Sequence, residues 1–194
     1  MVSAPSGAGK STLGGEILKL MPDICYSISY TTRPPRKGEK HGMDYYFISE
    51  EEFKRRKDAK ELIESACVHG YWYGTPRDPL EQSLKRGSDI LLDIDVQGGK
   101  QIKKMFPEAV LIFIVPPSLS VLESRLRGRR QDPEETIQRR LEAAQKEIQS
   151  SGNYDYVIVN EEITQAVDQL RGIILSERSR MGRNRPSVLS QFQG

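Results

Sequence analysis

The stretch Ala4-Pro5-Ser6-Gly7-Ala8-Gly9-Lys10-Ser11 brings two glycines, a lysine and two serines together, between an apolar run and an amphipathic helical pattern. Such a stretch can curl its backbone N–H groups round an anion at a helix N-terminus, where the helix dipole also favours negative charge. Gly7 and Gly9 permit the backbone angles and a close approach of phosphate. Lys10 can reach the β- and γ-phosphates of a nucleotide, and the Ser11 hydroxyl can ligate Mg²⁺. The spacing follows G-x-x-x-x-G-K-[ST] with Ala4 in place of the first glycine, a position that leads into the curl and supplies no side-chain chemistry. A glycine-rich turn before an ordinary helix is the alternative, and the strand remnant Met1 to Ala4 argues against it. The stretch predicts nucleotide binding and leaves the acceptor open.

A phosphate loop needs a strand before it and a helix after it, set in a larger sheet. Lys10 to Met21 reads as that helix, stopped near Pro22, and Cys25 to Ser29 as a second strand. Ile90 to Asp95, Val110 to Val115 and Tyr154 to Val159 are short apolar runs with the look of central strands buried on both faces. Helical patterns lie between them at Gly98 to Met105, Ser118 to Arg127 and Glu134 to Ser150, and a last one carries Ile163, Val167, Leu170 and Ile174. Asp132-Pro133 suits a cap and first-turn pair for the third. Alternation of this kind predicts an α/β fold, a parallel sheet with helices on both faces. Only Met1 to Ser3 precede the loop, so either the sheet tolerates a stunted first strand or the true start lies upstream.

Ser29 to Leu80 breaks the alternation. It is turn-rich and aromatic, with one small helix opened by the capping-box pattern Ser49 to Glu52, and it reads as an inserted lobe of short strands. Its text includes Ser29-Tyr30-Thr31-Thr32-Arg33-Pro34-Pro35-Arg36, Gly42-Met43-Asp44-Tyr45 and Gly70-Tyr71-Trp72-Tyr73-Gly74-Thr75. With Leu91-Leu92-Asp93-Ile94-Asp95-Val96-Gln97-Gly98 further on, these motifs in this order resemble the guanylate kinase family, from Met1 to about Glu177.

The resemblance implies a nucleoside-monophosphate-kinase core, an inserted, mostly-β GMP-binding lobe and a mobile helical lid. It divides the chain into core over 1–28, lobe over 29–78, core over 79–119, lid over 120–141, core over 142–178 and a basic tail over 179–194. The implied reaction is transfer of the γ-phosphoryl group of ATP to GMP, and to dGMP as well, giving ADP and GDP, with Mg²⁺ as cofactor. Arg33, Arg36, Tyr45 and Tyr73 would hold the GMP phosphate, a task suited to guanidinium forks and phenols. Ser29, Glu64 and Thr75 would choose the base. A carboxylate accepting from guanine N1–H and N2 selects it over adenine, which has no N1–H, and two hydroxyls would serve O6 or N7.

The ATP side would comprise Ala4, Pro5, Ser6, Gly7, Ala8, Gly9, Lys10, Ser11 and Thr12, with Asn160 near the adenine. Asp93 and Asp95 end a core strand, where an aspartate can reach a metal or simply cap the strand end. By resemblance Asp93 joins Ser11 in organising Mg²⁺, and Asp95 lies on the acceptor side. Arg125, Arg129 and Arg140 match lid arginines that close over the phosphates, which with Lys10 and Arg36 makes the catalytic set; Arg127, Arg130 and Arg139 read as solvated neighbours. No general base is required, because a phosphate monoester oxygen is already an anionic nucleophile.

Composition is consistent with this. The 194 residues suit one compact unit with inserted lobes. Lys and Arg number 29 against 27 Asp and Glu, so a few placed residues rather than a global field must hold phosphate, and no nucleic-acid partner is expected. Cys25 and Cys67 lack CxxC spacing and read as reduced thiols, and Cys67 beside His69 lacks a third metal ligand. No apolar run reaches membrane-spanning length and the start has no signal pattern, so a cytoplasmic protein without a membrane partner is expected, its oligomeric state open. A guanylate-kinase-like binding module that grips phosphopeptides is the rival of a different class, and the full set Lys10, Ser11, Asp93 argues against it.

Overall fold

A computed structural model describes residues 1–128 and 133–180. The chain opens with β1 (Val2–Ser3), the glycine loop and α1 (Lys10–Leu20), then β2 (Cys25–Ser27). β3 (Tyr30–Thr31), β4 (Tyr46–Phe47), α2 (Glu50–Asp58), β5 (Leu62–Val68) and β6 (Tyr71–Pro76) form the interruption read from the sequence. α3 (Arg77–Lys85), β7 (Ile90–Leu92), α4 (Val96–Met105), β8 (Ile112–Val115) and α5 (Leu119–Gly128) return to the alternation. α6 (Glu134–Gln149), a 3₁₀ turn at Ser150–Asn153, β9 (Tyr156–Val159) and α7 (Ile163–Arg178) complete it.

β2 pairs with β7, β1 with β8 and β8 with β9, all parallel. A bridge between Val2 and Asp93, with Ile94 N–H donating to the Val2 carbonyl at 3.2 Å, joins them in the order β2-β7-β1-β8-β9. Val2, Leu13, Ile17, Ile114, Ile158 and Leu170 pack α1 and α7 on one face. Leu80, Leu92, Ile94 and Ile102 pack α3 and α4 on the other. Burial on both faces explains why β7 and β8 read as unbroken apolar runs. β9, expected to be a central strand of the same kind, lies at the sheet edge instead and leaves Val157 and Val159 exposed. β1 is short, and the Met1 ammonium donates to the Val110 carbonyl at 2.7 Å.

The strand bounds shrink where side chains take over. Asp95, expected at the end of a strand, instead caps α4, its Oδ1 accepting from Gly98 N–H at 2.8 Å, so the helix starts at Val96 rather than Gly98. Ser118 likewise accepts from Val121 N–H at 3.2 Å and stands just outside α5. At α6 the cap residue is Pro133 itself, not a first-turn residue, while Asp132 lies outside the described residues. α3 was not expected from the sequence. Its first residues fall within the turn-rich stretch Ser29 to Leu80, yet a proline in the first turn, here Pro79, lacks only an N–H that the helix leaves unpaired anyway.

The lobe is a four-stranded sheet in the order β4-β3-β6-β5, with β6 antiparallel to both its neighbours. His69 and Gly70, with φ of 51° and 84°, turn the β5–β6 hairpin. Ser49 caps α2 as expected, accepting from Glu52 N–H at 3.1 Å, and Phe53 stacks on Trp72 with centroids 5.8 Å apart. In the expected lid, α5 and α6 pack through Leu122, Leu126, Ile137 and Ala144. Among the described residues no helix is long and apolar enough to cross a membrane.

Candidate functional site

The loop curls because its glycines adopt the left-handed region, with φ of 94° at Gly7 and 90° at Gly9, and Ala8 N–H closes a turn on the Pro5 carbonyl at 3.0 Å. Gly9 is also required for space: a Cβ there would lie 2.3 Å from Asn160 Nδ2. Asn160 is 4% exposed and donates from that nitrogen to the Ala8 carbonyl at 2.7 Å. Arg125 in turn donates to the Asn160 carbonyl at 3.0 Å. Both residues therefore brace the loop from behind. Asn160, expected near the adenine, thus gives its side-chain donor to the loop, and Arg125, expected at the phosphates, gives one of its donors to Asn160.

Lys10 is the first residue of α1 and points across the strand ends. Its ammonium forms an ion pair with the Asp93 carboxylate and donates to the Ile94 carbonyl at 3.1 Å. Ala4, Pro5, Ser6 and Gly7 line the same cleft, as do Ser11 and Thr12, so the loop opens onto it. Ser11 and Asp93 are hard oxygen donors at this spot and fit Mg²⁺, which takes few protein ligands and completes its shell with water and phosphate oxygens. Among the described residues no group of three or more His, Cys, Asp or Glu is placed to hold a metal ion.

Across the cleft stand Ser29, Arg36, Tyr45, Glu64 and Tyr73 from the lobe, and Asp95 from the core. Arg33 stands one layer deeper. Its guanidinium makes a two-pronged contact with Glu39, at 3.0 and 2.9 Å, and donates to the Tyr73 hydroxyl at 3.3 Å. It also lies 5.6 Å from the Tyr45 ring centroid. Burial opposes its charge, but the bonds to Glu39 and Tyr73 more than restore it and its pKa rises. Glu39 also accepts from Arg36 N–H at 2.6 Å, so one carboxylate fastens both arginine positions. Sequence reasoning missed Glu39. The signal was an acid six residues beyond Arg33, past the turn at Gly38, whose φ is 94°.

Glu64 is 4% exposed, and its Oε1 accepts from the Thr75 hydroxyl at 2.7 Å. Thr75 is wholly buried, so it faces Glu64 and not the open cleft. Burial, with help from the Asp95 charge and against the Thr75 bond, raises the Glu64 carboxyl to a pKa of about 7. Gly98 makes room for it, since a Cβ there would lie 2.5 Å from Glu64 Oε2.

α6 contributes Arg140 and Glu147, seven residues apart and so on one helix face, to the cleft. Glu147 was also missed. Burial first, then the Asp95 charge, raises its carboxyl to about 7. Arg127 pairs with Glu123 and Glu134, and Arg139 with Glu135, on exposed helix surface, as expected of solvated neighbours. Arg129 and Arg130 lie outside the described residues. A separate apolar cavity of about 340 Å³ lies at the other end of the strands, among Leu80, Leu84, Ile102, Phe106, Leu170 and Ile174, and carries none of this chemistry.

The guanylate kinase family model matches residues 1–177. A guanylate kinase of Geobacter sulfurreducens is 49% identical over 99% of this chain and 95% of its own length. One of Desulfitobacterium hafniense is 46% identical over the whole of this chain and 95% of its own. The crystal structure of guanylate kinase from Anaplasma phagocytophilum matches with a TM-score of 0.81 at 39% identity, covering 98% of this chain and 93% of that one.

Proposed function

This chain belongs to the guanylate kinase family and is an ATP:GMP phosphotransferase, and from that premise we propose which of its groups do the work. A single observation carries the assignment. The phosphate loop with Lys10 and the buried carboxylate of Glu64 open onto one cleft from opposite sides.

In this reading the triphosphate of ATP lies on the loop N–H groups from Ala4 to Thr12. Lys10 turns from Asp93 to the β- and γ-phosphates. Ser11 and Asp93 would hold Mg²⁺, which when bound adds positive charge to the triphosphate oxygens. Arg33, Arg36, Tyr45 and Tyr73 take the GMP phosphate, with Glu39 holding the arginines in register. Glu64 and Asp95, with Ser29, read the base, and Thr75 holds the Glu64 carboxylate from behind. Arg140, Arg125 and Arg129 gather over the transferring group as the lid (120–141) closes toward the lobe (29–78). Closure excludes water, so the acceptor oxygen and not water attacks the γ-phosphorus. We assign no group to the ribose 2′-hydroxyl and therefore propose dGMP as a second acceptor. A cytoplasmic, purine-nucleotide role goes with that substrate pair.

ADP release with Mg-ATP against GMP, dGMP, AMP, CMP and UMP tests the assignment. Turnover with GMP and dGMP alone is expected, and turnover with AMP but not GMP would overturn it. Gly98→Ala tests the base side directly. A new methyl group 2.5 Å from Glu64 Oε2 must push the carboxylate away, so the KM for GMP is expected to rise about tenfold or more, with the KM for ATP unchanged. Steady-state kinetics with each substrate varied in turn checks this.

A further inference from the structure

β5 is the edge strand of the lobe sheet, so one row of its backbone groups has no strand to pair with. Two glutamines of α4 take that place. Gln101 Nε2 donates to the Ser65 carbonyl at 2.9 Å while its Oε1 accepts from Ser65 N–H at 3.3 Å. One side-chain amide thus satisfies both groups of one residue, as a neighbouring strand's peptide would. Gln97 Nε2 donates to the Cys67 carbonyl at 3.3 Å.

The spacings match. Four residues of helix rise about 6 Å, and the outward groups of a strand recur every two residues, about 6.6 Å. Gln97 meets Cys67 and Gln101 meets Ser65, so helix and strand run antiparallel along this seam. A slip of one residue would turn the wrong backbone groups outward, so the seam has one register.

What the seam holds is Glu64, the residue before Ser65. Its carboxylate lies over Gly98, between Gln97 and Gln101 in sequence, and beside Asp95 at the helix cap. Gln97 and Gln101 are themselves exposed and contribute nothing to the core.

We propose that Gln97 and Gln101 are positioning residues for the acceptor, clamping β5 to α4 so that the Glu64 carboxylate stays aimed at the guanine edge. This rests on the reading of Glu64 as the base-selecting group. The clamp joins lobe to core at the one strand that carries that group, so loss of the clamp is felt in acceptor binding and hardly in the chemical step.

The test is a double-mutant cycle between Gln101→Met, which keeps the bulk and removes both bonds, and Glu64→Gln. In the wild-type background Gln101→Met is expected to raise the KM for GMP about five- to tenfold, the worth of one or two neutral hydrogen bonds. kcat at saturating GMP, the KM for ATP and the melting temperature should change little. In the Glu64→Gln background the same substitution should add nothing further. An equal rise in both backgrounds, or a fall in kcat without a change in KM, overturns the clamp while leaving Glu64 as base reader. An unchanged KM for GMP in Glu64→Gln alone overturns the base reading, and the clamp's purpose with it.

Discussion

Lys10→Ala is expected to lower kcat by about two to three orders of magnitude, the usual cost of removing one preorganised charge from a developing transition state. Phosphoryl transfer asks little covalent chemistry of the protein and much electrostatic stabilisation, so the loss falls on the chemical step. The GMP groups lie across the cleft on the lobe, and calorimetry should still detect GMP binding to the variant. The structure adds a second consequence. Lys10 forms an ion pair with Asp93, whose side chain is only 10% exposed, so the variant leaves that carboxylate without its cation. An uncompensated, largely buried charge is destabilising, and the empty variant should melt at a lower temperature than the wild type. Metal binding at Asp93, with no lysine to displace, should partly reverse the loss, so Mg²⁺ should raise the variant's melting temperature more than the wild type's. Near-normal turnover in an ADP-release assay would remove Lys10 from the catalytic set.

The pairing of Lys10 with Asp93 illustrates what a sequence shows and what it withholds. The loop was legible because its chemistry is contiguous: Gly7, Gly9, Lys10 and Ser11 act within one turn of backbone, and their spacing is their geometry. The sheet was legible because burial on both faces leaves unbroken apolar runs such as Ile112 to Val115. Three-dimensional pairings were not. Arg33 meets Glu39 only because the Gly38 turn folds the chain back, and Asn160 meets Ala8 across 152 residues of sequence. Glu147 looked like one more polar position on an amphipathic helix, since nothing in α6 says which face meets the cleft. α3 was hidden by a proline whose local meaning, turn or first helical turn, is settled only by Leu80 packing beneath β7. Contacts between distant residues leave no trace in spacing, and the residues concerned read as ordinary loop or surface charges.

Glu64→Gln is the sharper test of acceptor choice, because its expected effects on binding and on stability have opposite signs. The amide keeps the shape of the side chain and can still accept from Thr75, but it offers guanine one acceptor where the carboxylate offers two. A hydrogen bond to a charged group contributes about 1.5–3 kcal/mol, so the KM for GMP should rise roughly 10- to 100-fold and discrimination against AMP should narrow. The pH dependence follows from the raised pKa. GMP needs the ionised carboxylate, whose pKa in the empty cleft is about 7, so wild-type affinity should fall as the pH drops from 8 to 6. The phosphate of GMP titrates near a pH of about 6 as well, and the ratio of wild-type to variant affinity isolates the contribution of Glu64.

Stability runs the other way. Between the unfolded value of 4.5 and about 7 the folded protein holds a proton on Glu64 that the unfolded chain has lost. Stability therefore falls as pH rises through this window, and the deficit persists above it. Glutamine carries no such charge, so empty Glu64→Gln should melt above the wild type at pH 8, and the gap should close near pH 5. Saturating GMP should reverse the order at pH 8, since only the wild type gains a strong ligand contact there. Unchanged selectivity against AMP would remove Glu64 from the base site. A melting gap that does not narrow toward pH 5 would show that its buried charge is not what the empty cleft holds at a cost.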